Sequence, residues 1–236
     1  MPSLIKINNL VKNILNIVYH HTCASCGEKG DIICKRCRDS FLIIDYNNVC
    51  PLCGRHVGKR ILCGECMLTK RYFSEGYFGF VYENKLKEAI HTLKFKGRPE
   101  VGRYLVSFIE HVVTLLANKI DLIVPVPITE KRLKERGFNQ SYIISQEISK
   151  IIHKPVADDA LIKSRETKNQ YLLSREDRKK NIKGAFTLKK PDIIKDKNIL
   201  LVDDLYTTGF TANEASYIIN KARPRTIIFF ALARTP

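Results

Sequence analysis

The chain has 236 residues, 44% hydrophobic and 27% charged, and its 40 Lys and Arg against 24 Asp and Glu give a formal net charge of +16. That length accommodates one α/β domain and a small extra module, and the balance of apolar and charged residues excludes an intrinsically disordered chain. The cation surplus draws polyanions and phosphorylated ligands without saying where they bind, and a merely solvated lysine-rich surface is the equal alternative.

In the first twenty residues Leu4, Ile5, Leu10, Val11, Ile14, Leu15 and Val18 recur at helical spacing, interrupted by Lys6, Lys12, Asn13 and Asn16. A spanning helix needs about 20 nearly continuous apolar residues, and a signal peptide needs an unbroken apolar centre and a small-residue cleavage site. Neither pattern is found. The expectation is an amphipathic helix on a cytoplasmic protein with no transmembrane segment, reversible contact at the inner membrane being the alternative.

All eight cysteines lie between residues 23 and 66, as the pairs Cys23/Cys26, Cys34/Cys37, Cys50/Cys53 and Cys63/Cys66. Two-residue spacing lets both sulfurs of a pair reach one metal at about 2.3 Å, and two pairs complete a tetrahedron. Glycines after Cys26, Cys53 and Cys63 ease the turns and let N–H groups face the thiolates. A disulfide framework wants an exported chain, and a redox pair normally occurs once at a helix start. An iron–sulfur cluster uses the same four thiolates and stays open as chemistry. Two structural Zn²⁺ ions are expected, with sequential pairing the simplest and cross-bracing the alternative. Lys35, Arg36, Arg38, Arg55, Lys59 and Arg60 give the module a basic face. Phe41 and Tyr46 either stack on bases or cover the metal sites, the second being favoured.

After Lys70-Arg71 the cysteines stop, which divides the chain into a module over 1–70 and a second domain over 71–236. Gly76–Tyr82 predicts a strand and Asn84–Phe95 a helix with Leu86, Ile90 and Leu93 on one face. Leu122–Val126 and Ile199–Val202 are apolar runs of the kind buried on both sheet faces. Ile144, Ile148, Ile151 and Ile152 mark a helix between them, and Thr226–Leu232 is a closing strand. Strands separated by helices predict a mostly parallel, doubly wound α/β sheet.

The run Ile199–Thr211 ends a buried strand in Asp203 and Asp204, then passes through Leu205, Tyr206, Thr207, Thr208, Gly209 and Phe210 to Thr211. Thr211 and Glu214 have capping-box spacing at a helix start. Loop N–H groups and the positive helix end form an anion site, to which Thr207, Thr208 and Thr211 add hydroxyls. Gly209 lets the backbone approach a phosphate, and the two carboxylates accept from a vicinal diol. A phosphate with a diol a few ångströms away describes a ribose 5-phosphate. A polar turn capping a helix is the plainer alternative, weakened by the apolar strand before it. The run has neither the ending of a nucleotide P-loop nor a dinucleotide fingerprint.

This loop resembles the phosphoribosyl pyrophosphate signature of type I phosphoribosyltransferases, and the whole chain resembles the ComF family of competence-associated proteins. The resemblance rests on the cysteine pairs, Leu93–Gly97, Val124–Pro127, Arg132 through Arg136-Gly137-Phe138-Asn139-Gln140, Arg165-x-Thr167-x-x-Gln170, Arg178-x-x-Asn181-x-x-Gly184-Ala185-Phe186 and the phosphate loop. Ala222-Arg223-Pro224 departs from it where the family commonly has a glycine turn.

The resemblance implies a type I phosphoribosyltransferase-like domain over 71–236. Asp203 and Asp204 would be the catalytic, ribose-holding pair, and Thr207–Thr211 the 5-phosphate site. Arg136-Gly137 resembles the pyrophosphate loop, and Mg²⁺ would accompany phosphoribosyl pyrophosphate. Lys163–Lys183 carries eight Lys or Arg against three acids. It is expected to be a flexible loop bringing Arg165, Arg175 or Arg178 to a diphosphate or to nucleic-acid phosphates. The family further implies natural transformation, with single-stranded DNA and the DNA-uptake machinery as partners. The alternative is an active phosphoribosyltransferase with an unknown acceptor.

Overall fold

The computed structural model describes residues 22–166 and 181–236. The amphipathic segment expected over the first twenty residues, and Thr167, Gln170, Arg175 and Arg178, lie outside them.

Four parallel strands form the main sheet in the order β1-β6-β5-β2: β1 is Glu75–Val81, β2 Leu122–Pro125, β5 Asn198–Tyr206 and β6 Thr226–Arg234. On the central strand β5, Leu200 and Val202 enter the core on one face while Ile199 and Leu201 enter the core on the other. This two-sided burial explains the unbroken apolar run, as expected of a parallel strand covered on both faces. The first face is covered by helices α3 (Asn84–Phe95), α4 (Pro99–Phe108), α5 (Glu110–Thr114) and α7 (Gln140–Ile152). The second is covered by α8 (Phe210–Asn220) and by the antiparallel hairpin of β3 (Leu161–Lys163) and β4 (Phe186–Leu188). The hairpin, α4 and α5 were not anticipated; their apolar stretches are too short for periodicity to declare them.

Both sheet edges are closed. Ile44 N–H donates to Gly79 and Val81 N–H to Leu42, so a strip of the cysteine module pairs along β1. On the far side Ile123 exchanges hydrogen bonds with Pro155 and Ala157. Covered edges remove the unpaired backbone that invites aggregation.

The cysteine module, with α1 (Lys35–Asp39) and α2 (Gly64–Leu68), straddles the β1 edge. Cys23 and Cys37 pack with the core of the first face, and Cys50, Cys53, Cys63 and Cys66 with that of the second. Phe41 shares the core of the first face with Cys23 and Cys37, and Tyr46 packs against that same core, as the favoured expectation of covering a metal site has it. Phe41 packs edge-on against Phe80, and the Tyr46 hydroxyl donates to Phe78 O at 2.6 Å while accepting from Phe78 N–H at 2.9 Å. Both aromatics therefore fasten the module to β1, because the buried strand offers an apolar surface and an unpaired backbone position. Gly76 is needed at this junction: a Cβ there would lie 2.3 Å from Leu52 O.

β5 runs past the expected end at Val202. β2 stops opposite Val202, whereas β6 continues beside β5 to Tyr206 and Arg234. Asp203 and Asp204 thus sit within the strand, on a stretch that has lost one neighbour, and a cleft opens there. No helix among the described residues is long and apolar enough to cross a membrane.

Candidate functional site

The acid pair lies on the cleft side of β5. Asp204 forms an ion pair with Lys94 at 2.9 Å, both side chains only 11% exposed. Asp203 accepts from Ser141 Oγ at 3.1 Å and from Asp204 N–H at 2.8 Å. Burial, and then the neighbouring Asp204 charge, push the Asp203 carboxyl up to about 7. The two acids therefore sit in unlike surroundings, Asp204 in an ion pair with a lysine and Asp203 buried against a like charge.

The same cleft is lined by Thr207, Gly209, Thr211 and Arg136, by Arg132, Gln140 and Lys163, which the sequence reading names without a site role, and by Ser141. Gly209 is the left-handed cap of α8, with φ 76°. A Cβ there would lie 2.3 Å from the Tyr206 hydroxyl, so the loop folds tightly over its own tyrosine. The helix begins at Phe210 with Gly209 as its cap, two residues before the cap that a Thr211 capping box requires. Glu214 instead accepts from Gly184 N–H at 2.7 Å, so it supports the hairpin.

Arg136 ends a helix, α6 (Glu130–Arg136), and Gly137 is its left-handed cap, in place of the expected loop. Thr129 accepts from Arg132 N–H and starts this helix directly after β2. Arg132 and Arg136, one turn apart, consequently reach the cleft together. Arg136 donates to Gln140 Oε1 at 3.1 Å and lies over the Phe95 ring, while the Gln140 amide nitrogen is buried with no partner among the described residues. Gly137 lines the adjoining groove. Burial, followed by repulsion from Arg132, lowers the Lys163 ammonium to about 8. Lys163 opens the basic stretch Lys163–Lys183 and Lys94 lies within the resemblance motif, but the sequence assigns neither a role in this cleft.

Three expected residues face elsewhere. Phe210 packs toward the core of the second face. Arg165 donates to Asn181 O and Lys183 O at 2.9 and 2.8 Å, bracing the base of the hairpin. Thr208 lines a second cleft behind the loop, with Cys53, Arg55, Glu65, Arg71, Tyr206 and Arg234. There Arg71 Nε, Arg234 Nε and the Tyr206 hydroxyl are buried without hydrogen-bond partners among the described residues.

The eight cysteines form two sets, Cys23/Cys26/Cys34/Cys37 and Cys50/Cys53/Cys63/Cys66, the ligand atoms of each lying within 4.8 Å of one another. Pairing is sequential. All eight are free thiols, and Cys26–Cys34 and Cys53–Cys63 sulfurs stand 3.7 and 3.6 Å apart. Zn–S bonds of about 2.3 Å require tetrahedron edges of about 3.8 Å. Cys34 N–H donates to Cys23 Sγ at 3.3 Å. Although burial opposes ionisation of Cys23, this and neighbouring N–H groups bring its thiol down to about 6. The residues fit structural zinc, with no open coordination position. Around the second set, Arg55, Arg71 and Arg234 offset the charge of a zinc tetrathiolate and of Glu65, and so tie the metal centre to the back of the Thr207–Gly209 turn.

A parallel α/β sheet with an acid pair and glycine-bearing loop at one strand end, clasped by two tetrathiolate centres, defines the class. A double zinc ribbon domain family matches residues 14–67. The DNA utilization protein YhgH of Escherichia coli is 31% identical over 193 residues, 79% of this chain and 84% of the relative. Competence protein ComFC of Bacillus subtilis is 27% identical over 86% of this chain and 84% of the relative. Competence protein F of Haemophilus influenzae is 28% identical over 85% and 96%. The chain belongs to this family of competence and DNA utilization proteins, the ComF family. Among solved structures, a hypoxanthine phosphoribosyltransferase of Staphylococcus aureus aligns over 58% of this chain and 65% of its own at 13% identity, with a TM-score of 0.38.

Proposed function

We propose that the chain binds a phosphoribosyl pyrophosphate-type ligand in the β5–α8 cleft and handles single-stranded DNA during natural transformation. The observation that carries the ligand half is the acid pair, Thr207, Gly209 and Thr211 converging on one cleft with Arg132, Arg136 and Lys163. Asp203 and Asp204 accept the ribose hydroxyls, the loop N–H and hydroxyl groups hold the 5-phosphate, and the cations meet the diphosphate. Mg²⁺ fits as a companion of that diphosphate, since it keeps several waters and needs few protein ligands. The names of the relatives, the +16 charge and the double zinc ribbon support the DNA half. Arg175 and Arg178 remain candidates for phosphate contacts, as does the DNA-uptake machinery as a partner.

Titration calorimetry with phosphoribosyl pyrophosphate and Mg²⁺ tests the ligand. Saturable binding is expected, and Asp203→Ala with Asp204→Ala should abolish it without loss of zinc or fold. Unchanged affinity in that double variant would reject the assignment of the loop.

A second reading, transfer of the ribose 5-phosphate to an acceptor, is favoured by the groove adjoining the cleft. Ile128, Leu133, Phe138, Tyr142 and Ile162 offer an apolar wall there, and Lys163 borders both spaces. Pyrophosphate release in the presence of candidate nucleobases tests it.

A further inference from the structure

Outside the cleft, one surface assembly has no part in the fold's chemistry so far described. Tyr72, in the linker that joins the cysteine module to β1, packs on Tyr217 of α8 with ring centroids 4.9 Å apart and planes at 56°. Lys70 lies over the Tyr72 ring at 5.1 Å and Lys221 over the Tyr217 ring at 5.2 Å. Tyr217 is 41% exposed, and both lysines are exposed with no acidic partner among the described residues.

The arrangement is held in place. Asn213 Oδ1 accepts from Tyr72 N–H at 2.9 Å and its amide donates to Lys70 O at 3.2 Å, while Asn220 donates to Tyr72 O at 2.7 Å. Asn213, Tyr217, Asn220 and Lys221 share the outward face of α8 by helical spacing, opposite the buried Ala212, Ala215, Ile218 and Ile219. Two asparagines thus spend their polar groups clipping the linker to the helix, which fixes Tyr72 against Tyr217. Beyond Lys221 the exposed Arg223, Arg225 and Lys197 continue the positive surface.

We infer that the Tyr72–Tyr217 pair, flanked by Lys70 and Lys221, is a stacking platform for single-stranded nucleic acid. The inference deepens the DNA half of the proposed function and rests on it. Aromatic faces stack on unpaired bases without regard to sequence, and interleaved cations follow the phosphates. Duplex bases are stacked on one another and unavailable, so the platform selects single strands. Tyr217 stands about 10 Å along α8 from the phosphate-loop end, given a rise of about 1.5 Å per residue. Strand and phosphoribosyl ligand therefore bind at separate places and do not compete.

The test is fluorescence anisotropy of the full chain with labelled oligothymidine of about 20 nucleotides, oligouridine and a blunt duplex, with and without phosphoribosyl pyrophosphate. The expected result is that Tyr72→Leu with Tyr217→Leu weakens oligothymidine roughly 10- to 100-fold, with zinc content and phosphoribosyl pyrophosphate binding unchanged. Lys70→Gln with Lys221→Gln should reduce the salt dependence of binding, lowering the log–log slope by about 1.4. Oligouridine bound as tightly as oligothymidine assigns the platform to single strands generally, and weaker oligouridine binding assigns it to DNA. If the wild type binds oligothymidine and the tyrosine variant binds it equally, the platform is wrong while the DNA reading stands. If the wild type binds none at low salt, both fall. Equal duplex affinity, or full displacement by polyglutamate at matched charge, would overturn the platform in favour of a purely electrostatic surface.

Discussion

Asp203 is a carboxyl whose neighbours oppose its charge. Its ordinary value is 3.8, and burial followed by the Asp204 anion raises it to about 7. Between these two values the unfolded chain has released the proton while the folded chain retains it, so stability falls as pH rises through that window. Asp203→Asn removes the titration and should be more stable than wild type at pH 8, by on the order of 1–3 kcal/mol, with little difference near pH 4. Urea midpoints at the two pH values check this. The same ionisation turns Asp203 into a full acceptor, so phosphoribosyl ligand affinity should strengthen through pH 7, whereas the Asn variant should show no such gain. Asp204 is the acid of the pair that meets Lys94, at 2.9 Å. The doublet is evident as two adjacent acids in the sequence, but the partners that hold it, Lys94 on Asp204 and Ser141 on Asp203, stand 110 and 62 residues away along the chain, which no local pattern connects.

At the scale of elements, the turn between β5 and α8 depends on Gly209. Its φ of 76° disfavours any side chain, and a Cβ would meet the Tyr206 hydroxyl. Gly209→Ala should cost about 2 kcal/mol or more, from left-handed backbone strain and overpacking. It should weaken phosphoribosyl pyrophosphate more than oligothymidine, as calorimetry and anisotropy on the folded variant would report. A turn lacking glycine elsewhere shows the opposite resolution. In the turn Ala222-Arg223-Pro224, Arg223 adopts φ 55°, and its carbonyl accepts from Asp196 N–H at 3.1 Å. This turn therefore holds an exposed non-glycine residue in left-handed backbone, with the Asp196 hydrogen bond across it.

For the molecule as a whole, the cysteine module is a clasp on the sheet, with one tetrathiolate centre packed against each face. Small modules of this kind draw folding energy from their metal, and here that energy is passed on through Tyr46, Phe41 and the Gly76 junction. Cys50→Ser should release one zinc of two and lower the melting temperature of the entire chain in a single transition. It should also weaken the phosphoribosyl ligand, because Arg71 and Arg234 bridge the second centre to the loop. Zinc quantitation with scanning calorimetry checks this; two separate transitions would show that module and sheet fold independently.

Local chemistry is enough to read the two cysteine tetrads, the acid pair, the glycine-bearing turn after it and the alternation of strands with helices, since each depends on residues within a turn or a strand of one another. Two-residue cysteine spacing, an all-apolar run and a glycine among threonines carry their meaning wherever the chain folds. The convergence of Lys94, Arg132, Gln140 and Lys163 on Asp203 and Asp204 does not, and neither does the turning of Thr208 toward the zinc side or the meeting of Tyr72 with Tyr217. Those relations come from strand order and helix packing, in which residues far apart along the chain become neighbours through burial that no single segment specifies.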